Sequence, residues 1–320
     1  MEWEHAGVVV TPADFRGLDW VERCADLGMR TLGIHNGGGR GEDALARLGD
    51  TATTAFRDRA ERVGLEVEYE LHVGSSLLPR ALFATHPEWF AYRADAGTRT
   101  PDANFCPSHP EALATACANA RTLAQALCPT THRHFFWSDD GMPWCQCDAC
   151  AKLSDSDQEL LVANAIARTL RADDPSAKVA YLAYDRTLDP PRHVRPEPGV
   201  FLEFAPIRRR LDRPLDGSAC ETNATHCRQL RELLRMFSPA TAHVLEYWLD
   251  SSLASNWRRP VQAAAYDDHV VARDLSFYHA LGIRSITTFA VYIDGAYVQK
   301  YGEDSLLLYS QHIRQARGMA

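Results

Sequence analysis

The sequence predicts an α/β fold, a (β/α)8 TIM barrel with enlarged βα loops, on three observations. Strand-like and helix-like segments alternate eight times along 320 residues, as such a barrel requires. The first strand runs into Thr11-Pro12, where an open doubly wound sheet more often carries a Gly-rich turn. No internal repeat, low-complexity tract or linker breaks the alternation, so residues 1–320 read as one barrel domain.

The elements follow in order. Residues 6–10 (AGVVV) are a buried strand, and residues 14–29 an amphipathic helix closed by Gly28. Residues 31–35 (TLGIH) are the second strand. The Gly-rich run 36–41 lacks the phosphate-binding Gly spacing and reads as a mobile loop beside a site. Residues 42–63 are helical, and 65–72 (LEVEYELH) are the third strand. Residues 73–110 have little periodicity, and an aperiodic stretch of that length is usually functional. A helix over 111–127 precedes the fourth strand, the aromatic run His134-Phe-Phe-Trp137. Residues 155–172 are helical, and 178–184 (KVAYLAY) are the fifth strand. A Pro-rich loop, 190–198, leads to the sixth strand, 200–204. A helix at 225–237, the seventh strand at 243–248, a helix at 267–281, the eighth strand at 285–292 and a last helix at 305–317 complete the chain.

Composition narrows the partners. A net charge of -8 with no basic block argues against nucleic acid. No apolar run is long enough to span a bilayer. The opening residues MEWEHAGVVVTP carry acids where a signal peptide carries Lys or Arg, so the expected location is cytoplasmic. Five of the nine cysteines are scattered singly, unlike a secreted disulfide framework.

In a barrel the C-terminal strand ends converge on one face, where the active site lies. The polar residues predicted there are His35 and Asn36, His72, Asp139 and Asp140, Tyr184 and Asp185, Glu203 and Arg208, Glu246, Tyr247, Trp248 and Asp250, and Tyr292 and Asp294. Carboxylates and aromatics without a nucleotide fingerprint suit a carbohydrate: sugar rings stack on Trp and Tyr, and carboxylates bind hydroxyls. Glycoside hydrolysis needs one carboxylic acid and a second carboxylate as nucleophile or base. Asp140 is the predicted acid, with Asp139 beside it to raise its pKa. Consecutive strand residues face opposite ways, so one of the two faces the substrate. Glu246 is the predicted partner, with Glu203 in reserve. Trp137, Trp144, Tyr184, Tyr247 and Trp248 are candidate sugar platforms, with a core place the alternative for Trp137.

Cys147-x-x-Cys150 has zinc-knuckle spacing, Cys145 adds a third thiolate, and Cys106 is the candidate fourth ligand, with His109 next. A closed four-ligand zinc would be structural and a three-ligand one chemical; the structural role is expected. Reduced thiols or a disulfide remain alternatives.

The segments HPEWFAYRADAGTRTPDANFCPSHPE, SDDGMPWCQCDAC, KVAYLAYDRTLDPP, FLEFAPIRR and HVLEYW occur in that order. On them the chain resembles the bacterial domain of unknown function 4838 family, a glycoside-hydrolase-like barrel distantly similar to α-glucuronidases and β-hexosaminidases. The matching positions are Asp140, Cys106, Cys145, Cys147, Cys150 and Glu246. The resemblance implies the fold and a carbohydrate-active role. Hexosaminidase-like families carry an Asp-Glu pair at this strand, and Asp139-Asp140 would be a shortened version in which Asp139 assists an N-acetyl group. The expectation is a glycoside hydrolase. The alternatives are a carbohydrate-binding barrel without catalysis and a zinc-thiolate-dependent barrel enzyme.

Overall fold

The computed structural model describes residues 2–37, 43–217 and 219–315. Eight parallel strands close a barrel. They are β1 (His5–Val10), β2 (Thr31–Ile34), β3 (Glu66–His72), β6 (Arg133–Trp137), β7 (Lys178–Tyr184), β8 (Val200–Ala205), β9 (His243–Glu246) and β10 (Ser285–Phe289), and β10 pairs back onto β1. A short antiparallel hairpin, β4 (Ala91–Arg93) and β5 (Thr98–Thr100), is inserted after β3 and stays outside the barrel. The predicted fourth strand is therefore β6. The predicted barrel class holds.

The helices are α1 (Trp20–Asp26), α2 (Ala44–Leu48), α3 (Thr54–Arg62), α4 (Gly74–Leu77), α5 (Pro110–Leu127), α6 (Asp155–Asp173), α7 (Glu221–Leu233), α8 (Ser251–Ala254), α9 (Asp268–Ala280), α10 (Gly295–Tyr301) and α11 (Asp304–Gln315). Local capping explains most departures from the predicted spans. The helix expected over 14–29 begins at Trp20 because the Asp19 side chain accepts the Val21 and Glu22 N–H groups. The helix expected over 42–63 is two helices, because Thr53 caps a new start by accepting the Phe56 N–H. The seventh strand ends at Glu246, not Trp248: Asp250 accepts the Ser252 and Leu253 N–H groups and starts α8 at once. The eighth strand ends at Phe289, and Tyr292 lies beyond it in the left-handed region at φ 70°. The aperiodic stretch holds α4, two 3-10 turns and the hairpin. Most of the Gly-rich run, the predicted helix start at Glu42 and the end of the last predicted helix lie outside the described residues.

Strand alternation decides which side chains reach the site. Val9, Phe135, Trp137, Leu182, Phe201, Ala205, Leu245, Tyr247 and Phe289 pack together inside the barrel. Val8, Leu32, Tyr181, Phe204, Val244 and Trp248 belong to the other layer, packed against the helices. On β9 this puts Leu245 and Tyr247 inward and Glu246 outward. On β8 it puts Glu203 inward, between Phe201 and Ala205. No described helix is long and apolar enough to cross a membrane.

Candidate active site

A cavity of about 1150 Å³ opens at the C-terminal ends of the strands. Its lining includes His35, Asn36, His72, Trp137, Asp140, Tyr184, Arg208, Tyr247, Asp250, Trp257 and Tyr292. Residues contributed by separate strands and loops thus meet on the barrel face where chemistry is expected.

Asp140 follows the β6 strand and is the carboxylate most open to the cavity, its side chain 41% exposed. The Tyr184 hydroxyl donates to Asp140 Oδ1 at 3.0 Å, and His72 Nε2 stands 3.9 Å from the same oxygen. Burial, and then the adjacent Asp140 charge, push the Tyr184 phenol up, so it stays a donor. His72 is aimed by its Nδ1, which donates to the Ser138 carbonyl at 2.6 Å. His35 Nδ1 likewise donates to the Glu70 carbonyl, at 2.6 Å. Burial, then the neighbouring His72, push His35 down to about 3, so its ring is a neutral hydrogen-bonding group near pH 7. Asn36 Nδ2 donates to the His72 carbonyl at 3.0 Å, while its buried Oδ1 has no described protein partner.

Asp139 turns the other way. It is buried, ion-paired with Arg80, and accepts the Ser75 N–H at 3.2 Å; its own N–H donates to Asn104 Oδ1 at 2.9 Å. Burial raises its pKa against the pull of Arg80. A Cβ at Gly74 would lie 2.6 Å from the Asp139 carboxyl carbon, so glycine lets the loop close over it. The two adjacent acids thus divide: Asp140 faces the cavity, and Asp139 ties the strand end to its neighbouring loops.

The two predicted glutamate partners are not brought to the cavity lining. Glu246 is fully buried between barrel and helices. Its Oε1 accepts from Arg209 Nη1 at 2.6 Å and from the Tyr278 hydroxyl, and Arg209 Nη2 also pairs with Asp274 at 2.7 Å. Burial pushes Asp274 up to about 7, with Arg209 opposing. Glu203 lies inside the barrel beneath the cavity, where its Oε2 accepts the Trp137 indole N–H at 2.6 Å. Trp248 packs on Tyr309 outside the barrel, and Trp144 lines a small crevice beside the cavity. Asp294 caps α10 by accepting the Tyr297 N–H, and Arg208 sits exposed at the rim, paired with Asp185 at 2.6 Å. Tyr292 lines the cavity with the Arg259 guanidinium 4.9 Å from its ring centre.

Asp250, and not Glu246, is the carboxylate that the end of β9 brings to the cavity. It lines the cavity, and its Oδ1 accepts the Ser252 and Leu253 N–H groups and the Ser252 hydroxyl, which leaves Oδ2 for other partners. Burial raises its pKa against those hydrogen bonds. Trp257, which sequence reasoning missed, lines the cavity while 59% exposed. A lone Trp in a long polar loop is the only signal the sequence holds for it. Asp185, Trp257 and Tyr292 all line the cavity with positive φ, a conformation that costs free energy and clusters at functional sites.

The four cysteines form a separate cluster. The sulfurs of Cys106, Cys145, Cys147 and Cys150 lie within 4.8 Å of one another, all unbridged. Cys106 Sγ is 3.7 Å from both Cys147 and Cys150 Sγ. A tetrahedral zinc with Zn–S near 2.3 Å spaces its sulfurs about 3.8 Å apart, so the donor set fits zinc. The Tyr92 N–H donates to Cys145 Sγ at 3.4 Å, one of the contacts that stabilise a thiolate. None of the four lines the cavity. They join the loop after β3 to the loop after β6, and Asn104 ties the same two loops through the Met142 and Pro143 carbonyls and the Asp139 N–H.

Solved structures share the fold at low identity. The chain is 14% identical to a β-N-acetylhexosaminidase from Bacteroides fragilis, with TM-score 0.60 over 97% of this chain and 66% of that one. It is 14% identical to a β-galactosidase from Rahnella sp. R3, with TM-score 0.57 over 99% and 56%. A chitinase from Rhizomucor miehei is 8% identical, with TM-score 0.57 over 97% and 100%. The chain thus spans less than two thirds of the first two. Among curated proteins none matches it. Residues 49–314 match the Domain of unknown function (DUF4838), and the chain belongs to that family.

Proposed function

We propose that the protein hydrolyses a glycosidic bond, with Asp140 as proton donor. The observation that carries this reading is a cavity-facing carboxyl, oriented through one oxygen by Tyr184, in a barrel mouth lined with aromatic rings. An acid held through Oδ1 presents Oδ2 to a leaving-group oxygen. The second carboxylate is Asp250, three strands round the barrel. Its burial favours taking up a proton, as a base requires. Trp257 and Tyr292 supply ring faces for a sugar, and Asn36 Oδ1 is a buried acceptor for a hydroxyl or amide hydrogen.

A panel of aryl glycosides covering hexosamines, uronic acids and neutral sugars tests this. Turnover of one member by the wild type, lost in Asp250→Asn with folding intact, is expected. A second reading, a barrel that binds glycans without cleaving them, is favoured by the absence of both predicted glutamates from the cavity lining. Saturable sugar binding with no turnover on any glycoside would replace hydrolysis by that reading.

The four cysteines are proposed to hold a structural zinc. It would fasten the loops that carry Asn104 and Asp139, and so fix where Asp140 points. At the thiols one zinc per chain is expected, removed by Cys106→Ser. If the ion is held at a hundred times its dissociation constant, its loss costs about 2.7 kcal/mol of stability. Metal analysis and thermal unfolding check both; full stability and activity in zinc-free protein would contradict the role.

A further inference from the structure

Strand β3 sends Glu68 and Glu70 into the barrel below the cavity, and both are fully buried. Glu68 has partners on Oε1, Arg133 Nε at 3.4 Å and the Thr131 hydroxyl at 2.7 Å, while its Oε2 has none among the described residues. Glu70 has none among the described residues, for either carboxylate oxygen. Glu203 reaches the same interior. Its Oε2 takes the Trp137 indole, and its Oε1 is also unpartnered. A buried carboxylate oxygen without a donor is costly, and such a group calls for an occupant or a function.

The surroundings indicate an occupant. One ligand atom each from Glu70, Glu203 and His243 lie within 4.8 Å of one another, all buried. His243 stands between the Ser285 hydroxyl, 2.6 Å from Nδ1, and the Thr287 hydroxyl, 2.9 Å from Nε2. Both ring nitrogens are thus hydrogen-bonded to hydroxyls, and the one that ligates exchanges its hydroxyl for the ion. Gly33 lets the Glu70 carboxylate take this position, since a Cβ there would lie 2.9 Å from its Oε1. Three carboxyl groups, those of Glu68, Glu70 and Glu203, share the interior with the single guanidinium of Arg133, which lies over the Phe135 and Phe201 rings.

We propose that Glu70, Glu203 and His243 form a metal site inside the barrel, separate from the four thiols. It takes a divalent ion of the zinc or manganese kind, which accepts mixed carboxylate and imidazole donors. The two carboxyl groups, deprotonated on binding, match its charge. The ion's role is to fix the cavity floor. Glu203 holds Trp137 through its other oxygen, and the Glu70 carbonyl holds His35.

Metal content per chain after dialysis against Zn²⁺ or Mn²⁺ tests the site. Wild type should hold one ion more than the near-isosteric Glu70→Gln/Glu203→Gln variant. Equal content in the two folded proteins would overturn the proposal. Cobalt titration of the wild type decides the matter if the variant does not fold. Co²⁺ at the thiols gives intense sulfur charge-transfer absorption, whereas Co²⁺ on carboxylates and imidazole gives only weak visible bands. A second, weakly absorbing equivalent is expected. Bound cobalt with thiolate absorption alone, or none bound, would overturn the assignment.

Discussion

Replacing Asp140 by Asn is expected to lower kcat/KM on the best aryl glycoside by about 10²- to 10⁴-fold, the usual worth of a general acid. The unfolding midpoint should stay near the wild-type value. Asp140 is part-exposed, and the hydrogen bond it accepts from Tyr184 can be kept by the Asn carbonyl. Because Asn cannot donate the same proton, loss should fall on kcat rather than on KM. Steady-state kinetics beside a urea melt separate the two. Wild-type turnover in a folded variant would remove Asp140 from the mechanism.

Glu246→Gln is expected to behave in the opposite way. Glu246 is one corner of a fully buried network with Arg209, Asp274 and Tyr278, and it does not line the cavity. Neutralising one partner leaves the Arg209 guanidinium undercompensated in the interior. Breaking a buried pair in this way costs roughly 3–5 kcal/mol. The burial of Asp274, whose pKa is pushed up to about 7, makes it a poor replacement counter-charge. Urea denaturation should show the loss, and the protein that remains folded should keep its turnover within a few-fold. A stable variant without activity would return Glu246 to the role of nucleophile.

The contrast between Asp140 and Glu246 also marks what was legible in the sequence. Alternation of strand and helix carried the barrel, because each element's apolar pattern is set by what it packs against. Asp140 was legible because a strand that stops at Asp-Asp-Gly leaves its acids at the mouth, whatever the register. Glu246 was not. HVLEYW is buried on both faces, as barrel strands are, so no polar alternation tells inward from outward. Only the register beside β10, with Glu246 opposite Thr288, settles the parity and puts Tyr247 inside. The same parity separates Tyr247 from Trp248. Glu203 failed differently: it points inward as supposed but lies a layer below the cavity, under Trp137. Asp250 was visible as a polar residue near a strand end, but its capping of α8 hid its second oxygen from notice. The cysteines were legible as a cluster through spacing, and Cys106 as the candidate fourth ligand that a closed site requires. That they face away from Asp140 needed the fold.

The most direct test of the central claim, that Asp140 protonates a departing sugar oxygen, is the leaving-group dependence of Asp140→Ala. Aryl glycosides of one sugar, with phenols of graded acidity, would be compared with the wild type. A strongly acidic phenol departs without help, so its turnover should fall little; a weakly acidic one needs the proton, so its turnover should fall by orders of magnitude. A loss of equal size across the series, or none, would contradict the account.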